Sequence, residues 1–335
     1  MSSYKPPYTI TSKMLTLATS IGEELTKIEF EANKTITPML RKKNRIKTLA
    51  GTLEIEGNFL GEEKITAILD GKRVLGTYQE VLEVEGAINT YKEFENYNYD
   101  NLDDLLKAHK ILMKDILTTA GSFRSVNVGV GSKNGVSHVA PPFGVVPNLM
   151  RDLFEWLKNS DEHILIKSCV FHYEFEFIHP FSDGNGRIGR LWQSVILYHW
   201  RKVFSAIPTE SIIRDNQERY YEVLEKSGSL GESTPFVEFM LEVILKAIES
   251  AKKSNVPKNV PLKRVAKILS LINKNNNITI IKLANILKVT DKTIKRDIAK
   301  LKKENKLIRV GSLKSGYWEI IIPQENKKER IKVKK

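Results

Sequence analysis

The 335-residue sequence predicts a mainly α-helical protein with one β-hairpin, followed by a small, separate α/β module. Apolar side chains recur at three- and four-residue spacing through most of the first 250 residues, which is typical of amphipathic helices. A glycine-rich stretch after residue 120 replaces that spacing with short alternation, which favours a hairpin. No apolar run approaches the roughly 18 residues of a membrane span.

Basic residues are concentrated in the C-terminal quarter of the chain. Residues 257–335 contain 22 of the 53 Lys and Arg but only 6 of the 40 Asp and Glu, so residues 1–256, with 31 basic and 34 acidic side chains, are close to neutral. This asymmetry predicts a separate C-terminal module with a polyanionic partner. The single cysteine, Cys169, excludes an internal disulfide, and "MSSYKPPYTI" is no signal peptide, so we expect a cytoplasmic protein without a membrane span.

Glycine and proline bound the predicted helices. Residues 12–49 form one or two helices, "EEKITAILD" forms another, and the apolar stripe that starts at Leu102 predicts a helix ending at Gly121. The hairpin "SFRSVNVGVGSKNGVSHVAPPF" ends at Pro141–Pro142, and Pro147 marks the first turn of the next helix. Three further helices are predicted at about 187–202, 216–228 and 234–253, before the linker "KKSNVPKNVP".

The segment "SDEHILIKSCVFHYEFEFIHP" (160–180) permits two interpretations. Its aromatic residues at every second position between 171 and 177 indicate a strand. Its length and the candidate N-caps Ser160 and Asp161 favour a helix. Pro180 ends either element.

The stretch "FIHPFSDGNGRIGRLW" (177–192) concentrates chemically active residues within about a dozen positions. Gly184, Gly186 and Gly189 match the GxGxxG dinucleotide pattern, with Glu210 about twenty residues further on. That match is weak, because a proline and polar residues precede the glycines where a buried strand is required. No GxxxxGK[ST] pattern follows, which excludes a P-loop.

A glycine-rich loop that leads into a helix directs backbone N–H groups to one place and favours a phosphate there. Arg187 and Arg190 share one side of that helix and can donate paired hydrogen bonds to further phosphates. Asp183 offers an oxygen ligand suited to Mg²⁺, and His179 is a base that works near neutral pH. The stretch therefore predicts a nucleoside triphosphate site beside a base; a turn with a core histidine and solvated arginines is the alternative.

"HPFSDGNGRIGR" resembles the HxFx(D/E)GNGRxxR motif of Fic-domain proteins and agrees with it at every defined position. "AGSFRSVNVGVG" followed by "PPFGVVPNLM" is similar to the family's flap hairpin, and "NQERYYEVL" to the helix beyond the motif. The resemblance covers residues 100–250 and implies a Fic-type helical bundle with a β-hairpin flap. It also implies transfer of AMP from ATP, as substrate, to a Ser, Thr or Tyr hydroxyl of a target protein or of the chain itself.

The resemblance assigns roles by position. His179 would deprotonate the attacking hydroxyl, Asp183 would hold Mg²⁺ and Arg190 would bind the γ-phosphate. Phe181 would anchor the loop in the core. The remaining implied residues are Gly184, Asn185, Gly186 and Arg187 for the α- and β-phosphates, Asn216 and Tyr220 for the nucleoside, and Val126, Asn127, Val128, Gly129 and Val130 in the flap, where the target docks as an added strand. Ordinary helix positions explain Asn216 and Tyr220 equally well.

The stretch "TLEIEGN", which begins at Thr52, resembles the family's inhibitory motif (S/T)xxxE(G/N). The resemblance implies that Glu56 pairs with Arg190 and occupies the space of the γ-phosphate; Gly57 and Asn58 complete the motif. An arginine bonded to a carboxylate cannot also orient a phosphate, and a carboxylate repels a polyphosphate. Alternatively, Glu54, Glu56 and Glu62 are solvated charges, and in the family a glutamate at the position of Glu56 can also assist removal of AMP.

Residues 278–322 resemble a winged helix-turn-helix. Leu283, Ile286 and Leu287 form the apolar face of its first helix, and a second helix and a two-stranded wing follow. The outer face of the second helix, where a recognition helix meets DNA, carries Lys292, Thr293, Lys295 and Arg296. Because lysine is abundant throughout the chain, DNA binding, protein docking and formation of a homodimer all stay open for this face.

These assignments predict a helical N-terminal region with the inhibitory motif at 1–99, a Fic catalytic core at 100–252, a linker at 253–262, the winged helix-turn-helix at 263–322 and a basic tail at 323–335. Two other functions stay open. One is a Fic-type enzyme that moves another nucleotide or phosphate-linked group, or that removes AMP. The other is a nucleotide-sensing DNA-binding regulator, against which the intact His179 argues, because sensing needs no base.

Overall fold

The computed structural model describes residues 4–35, 38–132, 135–255, 260–304, 306–311 and 316–321. The chain divides into two compact units, Met1–Asn255 and Val256–Lys335, each with its own hydrophobic core. The predicted basic tail lies outside the described residues. No helix in the described ranges combines the length and the apolar character that a membrane crossing requires.

The first unit is mainly helical with one small sheet, which is the predicted fold class. The sheet pairs β1 (Gly129–Ser132) with β2 (Gly135–Val139) in antiparallel fashion, so the predicted hairpin is confirmed. In chain order the helices are α1 (Ser12–Thr35), α2 (Pro38–Ile55), α3 (Gly61–Leu69), α4 (Tyr78–Lys92), α5 (Leu102–Met113), α6 (Val146–Asn159), α7 (Ile164–Ile178), α8 (Asn185–Trp200), α9 (Thr209–Asp215), α10 (Gln217–Leu230) and α11 (Thr234–Asn255).

Helix α7 resolves the ambiguity of the segment 160–180, which is helical and not a strand. Every residue from Leu165 to Phe175 is buried. A helix that is buried on all sides has no polar face, so its sequence lacks the amphipathic period that normally identifies a helix. The N-cap is His163, whose Nδ1 accepts the Leu165 N–H at 3.2 Å, and neither predicted cap, Ser160 or Asp161, takes this role.

Several helices near the site differ from the predictions. Helix α2 continues to Ile55, past the predicted end at residue 49, and helix α9 was not predicted. Helix α5 ends at Met113 and not near Gly121. The chain after Met113 reverses direction, and the Gly121 N–H donates to Nδ1 of His109 on α5 at 2.9 Å. Helix α4 was missed, although it begins with a capping box in which Thr77 and Glu80 bond to each other's backbone. The pattern Thr-x-x-Glu was a readable signal for this helix.

The second unit has the elements of a winged helix-turn-helix. The predicted turn lies between Leu287 and Asp291, and the wing is a two-stranded antiparallel sheet. Ile286 was expected in the apolar face but is 52% exposed, and Ala284 lies in the core. The elements are α12 (Val260–Lys274), α13 (Ile280–Leu287), α14 (Asp291–Lys303), β3 (Leu307–Val310) and β4 (Tyr317–Ile320).

The N-terminal segment before α1 is bonded to α7, the central helix of the first unit. The Tyr4 hydroxyl donates to Oε2 of Glu174 at 2.7 Å, and Glu174 is 5% exposed. Burial raises the pKa of the Glu174 carboxyl to about 7, and the hydrogen bond from Tyr4 offsets only part of this shift. Glu174 is therefore protonated in the folded protein at a pH where it is ionised in the unfolded chain.

This raised pKa predicts a pH-dependent contribution to stability. Between its ordinary pKa of 4.5 and the folded value of about 7, the folded state binds a proton that the unfolded state has released. The stabilisation is therefore present at low pH and is lost as the pH rises through this range. Relative to Glu174→Gln, we expect the wild type to lose on the order of 2–3 kcal/mol of unfolding free energy between about pH 5 and pH 8. Urea denaturation of both proteins at the two pH values measures this, and a constant difference contradicts it.

Candidate active site

The candidate site lies where α7 ends and α8 begins. The last residue of α7 is Ile178, and His179 adopts the left-handed conformation with φ 49° and ψ 60°, just before Pro180. Residues with a side chain rarely adopt this conformation, so surrounding contacts must stabilise it. The turn leads the chain out of the helix and leaves the half-buried imidazole of His179 at the start of the loop.

Phe181 anchors this loop in the core. Its ring is fully buried and stacks on His109, with the centroids 3.6 Å apart and the planes 4° from parallel. Nδ1 of His109 accepts the Gly121 N–H, so Nε2 carries the proton and donates to the Asp183 carbonyl at 3.0 Å. Burial lowers the pKa of His109 to about 4, which keeps the ring neutral near pH 7. His109 thus holds both the ring of Phe181 and the backbone of Asp183.

The side chain of Asn185 closes the loop. Its Nδ2 donates to the Phe181 carbonyl and its Oδ1 accepts the Phe181 N–H, both at 2.9 Å. The side-chain amide is 2% exposed and uses one of its two Nδ2–H donors in this pair, so the groups that Asn185 can offer to an anion are the second Nδ2–H and its backbone N–H. Gly184 has φ 81°, and a Cβ there would lie 2.9 Å from Sδ of Met113.

The start of α8 has the features of an anion-binding site. Gly184 is the N-cap residue and makes no side-chain capping bond, so the first amides of α8 can take an anion. Gly186 keeps the space clear, since a Cβ there would lie 2.6 Å from Oε1 of Glu56 and 2.9 Å from Nη1 of Arg190. Nε of Arg187 is buried and has no hydrogen-bond partner within the described part of the chain. A buried donor of this kind can take an acceptor from outside the chain, such as a water or a phosphate oxygen.

Asp183 is the residue that fits a divalent cation. Its carboxylate is 54% exposed, and Oδ1 accepts the Gly184 N–H at 2.6 Å and Nη2 of Arg187 at 3.2 Å. Mg²⁺ in nucleotide sites commonly takes one or two carboxylates and completes its shell with phosphate oxygens and water, so the residue present fits this metal. The described residues contain no group of three or more His, Cys, Asp or Glu side chains arranged to hold a metal ion.

Arg190 forms hydrogen bonds and an ion pair with residues at the end of α2. Its Nη2 donates to Oε1 of Glu56 at 2.6 Å and to the Thr52 carbonyl at 3.3 Å, and its Nε donates to Oγ1 of Thr52 at 3.1 Å. The Arg190 side chain is 1% exposed. Burial acts to lower the pKa of Arg190, but the Glu56 carboxylate raises it well above its ordinary value. The guanidinium is therefore charged, and the predicted contact between Glu56 and Arg190 is present.

The local geometry of residues 52–58 explains the direction of the Glu56 side chain. The Asn58 N–H donates to the Leu53 carbonyl and the Gly57 N–H to the Glu54 carbonyl, while Gly57 has φ 89°. These two bonds and the left-handed glycine are a Schellman motif, which ends α2 with Glu56 as its C-cap. The Asn58 side chain, 3% exposed, donates to the Glu80 carbonyl and to the Glu83 carboxylate on α4.

Two residues outside the motif also hold the end of α2, and sequence analysis missed both. Nη1 of Arg214 donates to Oε2 of Glu54 at 2.8 Å. Nε2 of Gln217 donates to the Ile55 carbonyl at 2.9 Å. Both partners are about 160 residues away along the chain, and no local pattern indicates such pairs.

The proposed nucleoside residues lie at the start of α10. The side chain of Asn216 donates to the backbone of α9, and Tyr220 is 1% exposed with its hydroxyl 3.1 Å from Nε2 of His172. This burial agrees with the alternative interpretation of Tyr220 as a core residue. The adjacent Tyr221 is 46% exposed. Partial burial is the main cause that raises the pKa of its hydroxyl, and the nearby Glu56 carboxylate raises it further. Tyr221 is therefore a further surface residue near the ion pair.

The flap hairpin begins later than the predicted docking segment. Gly129 opens β1 and faces Val139 of β2, and Asn127 before the strand accepts the Phe143 N–H at 3.0 Å. Val126 is 57% exposed. Of the predicted docking residues, Val126, Asn127 and Val128 precede the strand, and Gly129 and Val130 lie in it, with the Val130 side chain outside the described set.

In the second unit, α14 separates an apolar face from a basic face. Ile294, Ile298 and Leu301 are buried in the core, as expected. Thr293 is bonded to the N-cap Thr290, which engages it at the helix start. The exposed residues among the predicted DNA contacts are Lys292, Lys295 and Arg296.

The glycines of the GxGxxG match do not follow a strand. They open α8 after the helix α7, and Glu210 is buried, where it accepts hydrogen bonds from Tyr91 at 3.2 Å and from Ser194 at 3.0 Å. A dinucleotide site requires a strand before the glycines and an acidic residue available to a ribose. The dinucleotide interpretation therefore has no support.

Known proteins resemble the chain over both units. Residues 99–197 match the Fic/DOC family, and residues 264–312 match the DeoR-like helix-turn-helix domain. A Fic family protein of known crystal structure from Desulfovibrio desulfuricans G20 is 38% identical, with a TM-score of 0.76 over 96% of this chain and 100% of that one.

Curated relatives match a smaller part. The protein adenylyltransferase Fic of Culex quinquefasciatus is 28% identical over 214 residues, which are 60% of this chain and 40% of that protein. The protein adenylyltransferase Fic of Nematostella vectensis is 28% identical over 208 residues, or 58% of this chain and 46% of its own length. The chain thus spans less than half of the length of these two relatives.

Proposed function

The chain belongs to the Fic family, and we propose that it transfers AMP from ATP to a Ser, Thr or Tyr hydroxyl of a protein, its own chain included, under restraint by Glu56. The observation that carries this proposal is the anion site at the start of α8. There the first amides of α8, the buried Nε of Arg187, which has no partner among the described residues, and the buried charge of Arg190 lie within two turns of one helix. The names of the curated relatives support the same reaction.

In the proposed reaction, His179 takes the proton of the attacking hydroxyl. The hydroxyl oxygen forms a bond to the α-phosphorus, the bond from that phosphorus to the bridging oxygen breaks, and pyrophosphate leaves. The amides at the start of α8 and the two arginines stabilise the phosphate charge, and Mg²⁺ held at Asp183 supplies further positive charge when it is bound. Such a transfer depends mainly on positioning and on charge stabilisation, which a rigid loop provides.

Glu56 restrains the reaction in this proposal because it competes for the same guanidinium. While the carboxylate bonds Nη2 of Arg190 at 2.6 Å, that nitrogen cannot orient a phosphate. The carboxylate also lies where a Cβ on Gly186 would meet it, so it fills the space that the glycine leaves open. ATP then binds in a pose that is unsuited to transfer, because negative charge already occupies part of the site.

We further propose that the second unit binds duplex DNA through α14. Its match to a DeoR-like helix-turn-helix domain and the exposed Lys292, Lys295 and Arg296 support this. Basic side chains on the outer face of a recognition helix contact phosphates and bases in the major groove.

Replacing Glu56 by glycine should relieve the proposed inhibition of AMP transfer. In Glu56→Gly we expect incorporation of labelled AMP into the protein itself or into lysate proteins to rise about tenfold or more, since a competing contact of about 1.4 kcal/mol changes an equilibrium tenfold. Scintillation counting after incubation with MgATP measures this, and mass spectrometry locates the added AMP. Glu62→Gly, at an exposed acidic position on α3, is the matched control and should stay at the wild-type level. Equal, substantial labelling of wild type and Glu56→Gly refutes the restraint.

His179→Ala in the Glu56→Gly background should abolish transfer and leave ATP binding nearly intact. Loss of a general base costs about 10²–10⁴-fold in rate, whereas the phosphate site is formed by other residues. Labelled-AMP incorporation and calorimetric titration with MgATP give the two quantities. Retained labelling rules out His179 as the base.

The full chain should bind a fluorescent duplex DNA with an affinity that falls as salt concentration rises. In the double variant Lys292→Glu, Arg296→Glu we expect weaker binding and a salt slope reduced by about 2, one for each lost phosphate contact. The control Lys226→Glu, Lys246→Glu makes the same change of charge at exposed positions of the first unit. Absence of binding at low salt, or an equal loss in the control, disproves DNA binding by α14.

A further inference from the structure

Arg124 connects the flap hairpin to the end of α7. Its Nη1 donates to the Val126 carbonyl at 2.8 Å, and its Nη2 donates to the Pro141 carbonyl. Val126 lies three residues before β1, and Pro141 lies two residues after β2. The guanidinium therefore binds both ends of the hairpin at its base.

The same side chain binds the backbone of the proposed base. Nε of Arg124 donates to the His179 carbonyl at 2.8 Å, and Nη2 also approaches the Ile178 carbonyl at 3.4 Å. The backbone N–H of Arg124 donates to the Pro180 carbonyl at 2.9 Å. Arg124 thus contacts three successive carbonyls at the point where the chain takes its left-handed turn.

The chemistry explains why an arginine serves here. The last carbonyls of a helix have no partner within the helix and lie at the negative end of its dipole, which favours a cation. Arg124 is 3% exposed, so its donors need acceptors from the protein, and the hydrogen bonds above supply carbonyl oxygens. The guanidinium offers five donors in a rigid plane, whereas lysine offers three donors from a single atom.

We propose that Arg124 is a positioning residue that fixes the flap hairpin relative to His179, so that a segment docked on the hairpin meets the imidazole at a set distance. The catalytic meaning of this inference rests on the proposed AMP transfer. The contacts also stabilise the left-handed conformation of His179, because they hold its carbonyl and those of both neighbours. A misplacement of about 1 Å between reacting groups costs about 100-fold in rate.

The variant Arg124→Lys in the Glu56→Gly background tests this. We expect the rate constant of self-labelling at saturating MgATP to fall about 10- to 100-fold while KM for ATP stays nearly unchanged, because the anion site does not include Arg124. Arg201→Lys, in which an arginine bonded to Glu29 is changed in the same way, should keep both values. An unchanged rate constant in Arg124→Lys overturns the proposal, as does a parallel loss of ATP binding.

Amide hydrogen exchange of Arg124→Lys, with Glu56 intact, tests the connection without any activity. We expect faster exchange in residues 129–132 and 135–139 and at 178–181, and unchanged exchange in α8 and α11. Faster exchange throughout the first unit would indicate a general structural role and would reject the proposal, and so would unchanged exchange in the hairpin. If Glu56→Gly alone shows no labelling, the proposed AMP transfer fails, and the exchange result still decides the role of Arg124.

Discussion

The buried charge of Arg190 is the constraint on which the site depends. Its side chain is 1% exposed on the first turns of α8, and removal of a guanidinium from water is costly unless an anionic or strongly polar partner replaces the water. In this structure Thr52 and Glu56 together replace the water, and both lie at the C-terminal end of α2. The Glu56 carboxylate is 31% exposed, so its loss should cost less than the roughly 3–5 kcal/mol that is typical when one partner of a fully buried ion pair is removed. Arg190 therefore needs an anionic or strongly polar partner, and a carboxylate and a phosphate can each supply one.

Several contacts hold the loop before Arg190, and Arg124 bonds the carbonyls of His179 and of its two neighbours; together they explain how His179 retains a left-handed conformation. The Phe181 ring stacks on His109, and its backbone makes two hydrogen bonds with the Asn185 side chain. His109 donates a hydrogen bond to the Asp183 carbonyl. Backbone strain of about 1–3 kcal/mol persists only where several contacts act together on the same atoms. A loop held in this way presents its amides in one arrangement, which is the property that charge stabilisation during a transfer reaction requires.

Sequence alone predicts those parts of the site that lie close together along the chain. The motif 179–190 is contiguous, so its residues are recognisable together, and the contact of Glu56 with Arg190 follows from resemblance to a second short motif. The amphipathic helices are predicted because each has a polar face, whereas α7 stays ambiguous because it is buried on all sides. In the sequence, His109 is one position in the apolar stripe of a predicted helix. Its polar function, acceptance of the Gly121 N–H, depends on the turn that brings Gly121 close to it. Arg124 and Arg214 bind backbone or side chains 55 and 160 residues away, and no local spacing encodes such pairs.

In the proposed restraint, the contacts that hold the end of α2 determine how strongly Glu56 competes with a phosphate for Arg190. The Schellman motif, the Arg214–Glu54 pair, the Gln217–Ile55 bond and the anchoring of Asn58 on α4 all hold the helix end from which the Glu56 carboxylate reaches Arg190. A factor that weakens any of them lowers the free energy needed to move Glu56 away, although it touches neither the nucleotide nor His179. In the proposed competition between Glu56 and a phosphate for one guanidinium, such a factor acts through a direct exchange of partners. Release of the proposed restraint therefore needs no long-range change of the fold, since a displacement of one helix end is sufficient.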